Sequence, residues 1–284
     1  MIEIFKHNCI IGEGPIWRES DGRLYFVNPV KAKEICSVNP DGSEPRRISL
    51  SHGASAIAFC EDGKILISSY DGVFLLDERS GSMELLCHVR RGNDGKVGPD
   101  GRFYFGTQSS RRSGEGDDLD GKLYRLDSDG ELTVLLDGLI LSNGMDWSSD
   151  GKKFYHTDSD THIIKEYDFD ISTGSISYTG RSCLVDGVDG FTIDTSEVIY
   201  AACWGKGHIA KIDTRDMKIC GYIETPVPIP SSCGFFGKNL DMLAITTADW
   251  QELGHSNPKS GYTFALKTET QGKAPYIFGK TIKK

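Results

Sequence analysis

Met145-Asp146-Trp147-Ser148-Ser149-Asp150-Gly151-Lys152-Lys153-Phe154-Tyr155 reads as two short strands folded back on each other across a tight turn. Asp-Gly flanked by alternating apolar residues is a strong hairpin signal, because the turn needs a residue that tolerates positive φ. The same phrase recurs along the chain. It stands as Ile16-Trp17 before Asp21-Gly22-Arg23-Leu24-Tyr25-Phe26, and as Ile57-Ala58-Phe59 before Asp62-Gly63-Lys64-Ile65-Leu66-Ile67. A third copy is Asp100-Gly101-Arg102-Phe103-Tyr104-Phe105. Two further copies have altered turns: Phe191-Thr192-Ile193 before Ser196-Glu197-Val198-Ile199-Tyr200, and Phe235-Phe236 before Asn239-Leu240-Asp241-Met242-Leu243.

Turn to turn, the six copies lie about 38 to 50 residues apart, the span of one four-stranded propeller blade. Each copy runs on into a third strand, such as Lys122-Leu123-Tyr124-Arg125-Leu126, and often a fourth, such as Glu131-Leu132-Thr133-Val134-Leu135-Leu136. No segment sustains a helical period. The reading is all-β: a six-bladed β-propeller with four antiparallel strands per blade, forming one domain over residues 1–284. Closing the ring protects the blade edges. The isolated strand within Glu3 to Asn8 is expected to complete the last blade beside Tyr276-Ile277-Phe278.

The 284 residues are 38% hydrophobic and 26% charged, enough apolar material for a large core. Against 41 acidic residues stand 32 basic ones, and no Lys/Arg block rises from that background. Nucleic acid and anionic membranes are therefore excluded as expected partners. Met1-Ile2-Glu3-Ile4-Phe5-Lys6 lacks the layout of a signal peptide, and no apolar run reaches the roughly 20 residues that span a bilayer. The eight cysteines form no C-x-x-C pair and mostly sit in strand-like apolar runs. Free buried thiols and a cytoplasmic location follow as expectations. A monomer or weak oligomer is expected.

In a propeller the leading residues of the innermost strands gather at one mouth of the channel. Seven to nine positions ahead of the turn, the six copies carry Glu13, Ser55, Asn93, Asn143, Asp189, and Ser231 or Ser232. All are polar, although apolar strands follow them. Two carboxylates and two carboxamides at equivalent offsets make a hard-oxygen donor set for one divalent ion, Ca, Mg or Mn, and zinc also accepts carboxylates. The competing reading is that Asp and Asn here serve the backbone, as they do at many strand starts.

At these residues the chain resembles the SMP-30/gluconolactonase family, also known for regucalcin. The motifs are Gly12-Glu13-Gly14-Pro15 before a Trp, Arg91-Gly92-Asn93-Asp94-Gly95-Lys96, Ser142-Asn143-Gly144-Met145 and Asp189-Gly190. Later come Ala202-Cys203-Trp204-Gly205 and Cys233-Gly234-Phe235-Phe236-Gly237. The resemblance implies Glu13, Asn143 and Asp189 as metal ligands, with Arg91 and Asn93 contacting substrate. One departure is clear: Gly106-Thr107 is followed by Gln108-Ser109-Ser110-Arg111-Arg112, where the family has Met and acidic residues. Gln108 to Asp120 is expected to be a flexible loop over the mouth, altering substrate preference.

The activity the resemblance implies is hydrolysis of a small-molecule sugar lactone to an aldonic acid. Asp189 is the expected general base, and a bound metal would polarise the carbonyl. Two other functions remain open: a calcium-binding regulatory protein without catalysis, and a propeller esterase acting on organophosphates. Gly205-Lys206-Gly207-His208-Ile209-Ala210 fits a loose dinucleotide pattern, but a strand rather than a helix follows, so it reads as a hairpin. No G-x-S-x-G elbow exists, and no histidine occupies the polar offset.

Overall fold

The computed structural model describes residues 1–31, 33–250 and 257–279. Among them, twenty-four strands form six four-stranded antiparallel sheets, with about 3% helix. In chain order, β1 (Ile2–Phe5) precedes the first sheet: β2 (Glu13–Arg18), β3 (Arg23–Asn28), β4 (Glu34–Val38) and β5 (Arg46–Ser49). The second sheet is β6 (Ala56–Phe59), β7 (Ile65–Ser68), β8 (Val73–Leu76) and β9 (Met83–Cys87). The third is β10 (Gly92–Val97), β11 (Phe103–Thr107), β12 (Gly121–Leu126) and β13 (Leu132–Leu139). The fourth is β14 (Ser142–Trp147), β15 (Lys153–Asp158), β16 (Ile163–Asp170) and β17 (Ser175–Leu184). The fifth is β18 (Val188–Ile193), β19 (Val198–Cys203), β20 (His208–Asp213) and β21 (Lys218–Glu224). In the sixth, β22 (Pro230–Phe236), β23 (Met242–Thr247) and β24 (Thr263–Lys267) are completed by β1. The fold class is a six-bladed β-propeller.

The repeated turns explain the register. Gly22, Gly63, Gly101 and Gly151 all have positive φ, between 64° and 85°. In the two altered copies Glu197 (φ 64°) and Leu240 (φ 52°) take that conformation, at a steric cost of about 1–2 kcal/mol each. In three sheets a tyrosine from the second strand donates its hydroxyl hydrogen to the turn aspartate. Tyr25 bonds Asp21 at 2.6 Å, Tyr104 bonds Asp100 at 2.7 Å, and Tyr200 bonds Asp194 at 3.3 Å. These bonds tie each turn to its own sheet.

Burial is layered within each sheet. Second strands such as β3, β7 and β11 are buried on both faces, whereas β5, a fourth strand, is exposed along its length. That is why second strands read as near-continuous apolar runs, whereas β5 reads Arg46-Arg47-Ile48-Ser49.

The chain forms two compact units, Met1–Ala54 with Cys183–Pro275, and Ser55–Ser182 with Tyr276–Lys284. In the first unit Phe5 packs edge-on to Phe26 at 4.9 Å, and Tyr200 to Phe235 at 5.4 Å. In the second, the fully buried Trp147 lies 5.0 Å from Tyr104 and 4.9 Å from Phe154.

The expected closing strand exists, but with a different partner. β1 pairs with β24, Ile2 opposite Ala265 and Phe5 opposite Thr263. Tyr276-Ile277-Phe278 instead joins the second sheet: Phe278 donates to Phe59 O at 2.9 Å and accepts from Glu61 N at 3.1 Å. The Phe278 side chain is buried with Leu66, Val97 and Phe103, and that apolar burial draws the segment there. All eight cysteines are free thiols, six of them buried. The Cys9 thiol beside it, and burial, push the Cys36 thiol upward. Among the described residues, no helix is long and apolar enough to cross a membrane.

Candidate functional site

Every polar offset residue lies at the start of the first strand of its sheet. Glu13 opens β2, and Ser55 immediately precedes β6. Asn93, Asn143 and Asp189 are each the second residue of β10, β14 and β18, while Ser231 and Ser232 follow Pro230 in β22. In five of the six sheets the pairing register shifts at this point: between Glu13 and Ile16, Gly92 and Gly95, Asn143 and Met145, Val188 and Phe191, and Pro230 and Ser232. A bulge re-aims side chains and ends regular pairing. Here it sits where apolar strand gives way to a polar lead residue.

In the second unit, β10 and β14 are tied at these starts. Asn93 Nδ2 donates to Ser142 O at 3.0 Å, and Asn93 O accepts from Ser55 Oγ at 2.9 Å. Asn143 is 4% exposed. Beside it, Ser142 Oγ lies 2.8 Å from His156 Nε2, both fully enclosed. Burial depresses the His156 pKa to about 3, so the ring is neutral across the physiological range. Asp158 accepts from the backbone of Ile140 at 2.8 Å and Leu141 at 2.9 Å, fixing the approach to β14. Gly106 faces Ser142 so closely that any side chain would collide with the serine. Further along the same strands Lys96 Nζ pairs with Asp146 at 3.0 Å, and burial raises the Asp94 carboxyl above the usual range.

Arg91 immediately precedes β10 in a left-handed conformation (φ 62°), its N–H bonded to Tyr70 O at 2.6 Å. The residues after Thr107, expected as a flexible loop, form a tethered strap. Ser109 caps a single helical turn, α1 (Ser110–Ser113), and Gly114 ends it. Asp120 accepts from Ser110 N at 2.6 Å and from Arg91 Nη2 at 2.5 Å. Glu115 accepts from Tyr70 OH at 2.7 Å and Arg90 at 2.9 Å, and lies 3.4 Å from Arg91. Both carboxyls are held below their usual range, Glu115 first by the Tyr70 hydroxyl and Asp120 first by the Ser110 N–H, with the arginines adding to each.

In the first unit the strands carrying Glu13 and Asp189 flank β22. Ser231 Oγ donates to Gly12 O at 2.5 Å, and Gly234 packs against the backbone of Pro15. On the other side Gly190 packs against Ser232 with no room for a side chain. Asp189 is 7% exposed and Glu13 is partly buried. Sequence reasoning assigned no role to Ser142, His156, Asp158, Glu115 or Asp120. For Glu115 and Asp120 the only trace was the departure after Thr107.

Glu13 and Asp189 are carboxylates and Asn143 a carboxamide, oxygen donors of the kind hard divalent ions take, and each stands at a strand start with a bulge beside it. Among the described residues, no three His, Cys, Asp or Glu side chains cluster as a metal site.

These features define a propeller whose blade starts carry polar groups on bulged backbone. The chain belongs to the SMP-30/gluconolactonase/LRE-like family, whose profile matches residues 11–249. It is 32% identical, over 96% of its length and 97% of the relative's, to the Bacillus subtilis protein named "Putative sugar lactone lactonase YvrE". To regucalcin of Sus scrofa it is 30% identical over 97% of each chain. Its fold matches that of a regucalcin from Agrobacterium tumefaciens, described as a calcium-binding protein, with a TM-score of 0.87 at 25% identity, covering 97% and 96% of the two chains.

Proposed function

We propose that this chain is a metal-dependent hydrolase that opens sugar lactones to aldonic acids. The observation that carries the reading is the coincidence, at Glu13, Asn143 and Asp189, of an oxygen donor, a strand start and a bulge. The similarity to a protein named for sugar lactone hydrolysis supplies the reaction class. Glu13, Asn143 and Asp189 would hold one divalent ion, calcium, zinc, manganese or magnesium, which when bound supplies electrophilic polarisation of the lactone carbonyl.

Asp189 accepts a proton from water as that water's oxygen adds to the carbonyl carbon. The bond to the ring oxygen then breaks, and the ring oxygen takes up the proton to become a hydroxyl. A positioned base contributes about 10²- to 10⁴-fold in rate. Asn93 orients the sugar through its acceptor oxygen, and Arg91 donates hydrogen bonds to ring or hydroxyl oxygens. A cytoplasmic setting accords with eight cysteines that form no disulfide.

Acid release from a panel of aldonolactones, with and without chelator, tests the reading. Asp189→Ala in metal-replete buffer is expected to lose at least about 10²-fold in kcat while remaining folded. Unchanged turnover in that variant would refute the assignment. A second reading, ion binding without catalysis, is favoured by the regucalcin relatives. It predicts calcium-dependent stabilisation and no acid release from any lactone.

A further inference from the structure

Arg91 stands with Arg90 just ahead of the polar start of β10, and its charge is already matched. Its guanidinium is 12% exposed and lies 2.5 Å from Asp120 and 3.4 Å from Glu115. The fork is engaged on three sides, with Nε donating to Gln108 O at 3.1 Å, Nη2 to Asp120 and Nη1 to Glu115. The two carboxylates are fixed independently of the arginine. Asp120 is held by the Ser110 N–H and Glu115 by the Tyr70 hydroxyl and Arg90. The strap therefore sets two carboxylates against Arg90 and Arg91, and the local balance around Arg91 is close to neutral rather than cationic.

We infer that the Gln108–Asp120 strap is a charge filter: by neutralising Arg91, Glu115 and Asp120 restrict the site to uncharged lactones and disfavour lactones bearing a carboxylate or phosphate. The inference rests on the lactonase reading and on Arg91 lying at the substrate. An arginine without such partners recruits anionic ligands by a fork of charge-assisted bonds. Here that fork is committed, and an anion approaching it meets two carboxylates as well. The guanidinium keeps its geometry and can share N–H groups with neutral hydroxyl oxygens. Glu115 and Asp120 thus set specificity and position Arg91 without touching the reacting atoms.

The test compares hydrolysis of a neutral probe, D-galactono-1,4-lactone, with an anionic one of the same ring size, D-glucaro-1,4-lactone. Wild-type protein is expected to favour the neutral lactone in kcat/KM. In the double variant Glu115→Gln with Asp120→Asn, the ratio is expected to move toward the anionic lactone by about tenfold, mainly through KM, as a unit charge a few ångströms away in a partly screened site requires. Asparagine retains an acceptor for Ser110, so the strap can stay in place. Glu115→Gln alone, which leaves the Asp120 tether intact, is expected to move the ratio the same way by about threefold. Turnover of lactones with a ratio unchanged in both variants overturns this inference alone. Wild-type preference for the anionic lactone does the same. Failure of the wild-type chain to hydrolyse either lactone overturns the lactonase reading, and this inference with it.

Discussion

The buried pair of His156 and Ser142 links protonation to folding in a way that can be measured directly. His156 is 2% exposed, its Nε2 lies 2.8 Å from Ser142 Oγ, and its ring stacks on Phe154 at 6.2 Å. Burial lowers its folded pKa to about 3, against an unfolded value of about 6.5. Between those two values the unfolded chain binds a proton that the folded chain refuses. The stabilisation is therefore complete above pH 6.5 and is lost as pH falls toward 3, at about 1.4 kcal/mol per pH unit. At pH 5 the loss amounts to about 2 kcal/mol. Urea unfolding followed by tryptophan fluorescence at pH 7.5 and pH 5 gives the wild-type change. The same pair of measurements on His156→Gln removes the titrating group while leaving Ser142 a polar neighbour. Other groups titrating in that interval cancel in the comparison. Wild type is expected to lose about 2 kcal/mol more than the variant across the interval; equal losses in both proteins would refute the reasoning.

Two further substitutions probe the strand starts and the turns. Gly190→Ala would drive a methyl group into Ser232 beside Asp189. It is expected to cost about 1–3 kcal/mol in urea unfolding and to lower lactone turnover at saturating metal. Glu197→Gly relieves a left-handed backbone at the altered fifth turn. It is expected to raise stability by about 0.5–1 kcal/mol without changing kcat, because steric relief exceeds the added chain entropy.

The sheets were legible in the sequence because their turns obey local chemistry. Asp-Gly at residues 62–63, 100–101 and 150–151 marks positive φ whatever the rest of the chain does. Glu197 and Leu240 adopt the same backbone without glycine, and only the repeat spacing revealed them. The polar lead residues were legible for a similar reason, since a fixed offset from a recognisable turn places them at one strand position. The bulges beside them were not, because a register shift is decided by the partner strand and leaves no local signature. The partner of β1 was misread, since three apolar residues at 276–278 fit a strand as well as those at 263–267 do. Burial of Phe278 in the second sheet's core decides between them. Arg91 finds Glu115 and Asp120 only through the path of the strap, which no periodicity encodes.

The pairing of residue 2 with residue 265 has a bearing on how the molecule is made. Ile4 and Phe5 belong to the same apolar cluster as Phe26 and Cys36, so β1 is wanted in two places. Part of its contact surface exists almost at once. Its hydrogen-bonding neighbour is translated far later, and such distant pairings are slow to form. From the synthesis of β1 onward the nascent protein therefore carries an unsatisfied sheet margin, and that margin is sealed only when translation has delivered Thr263–Lys267.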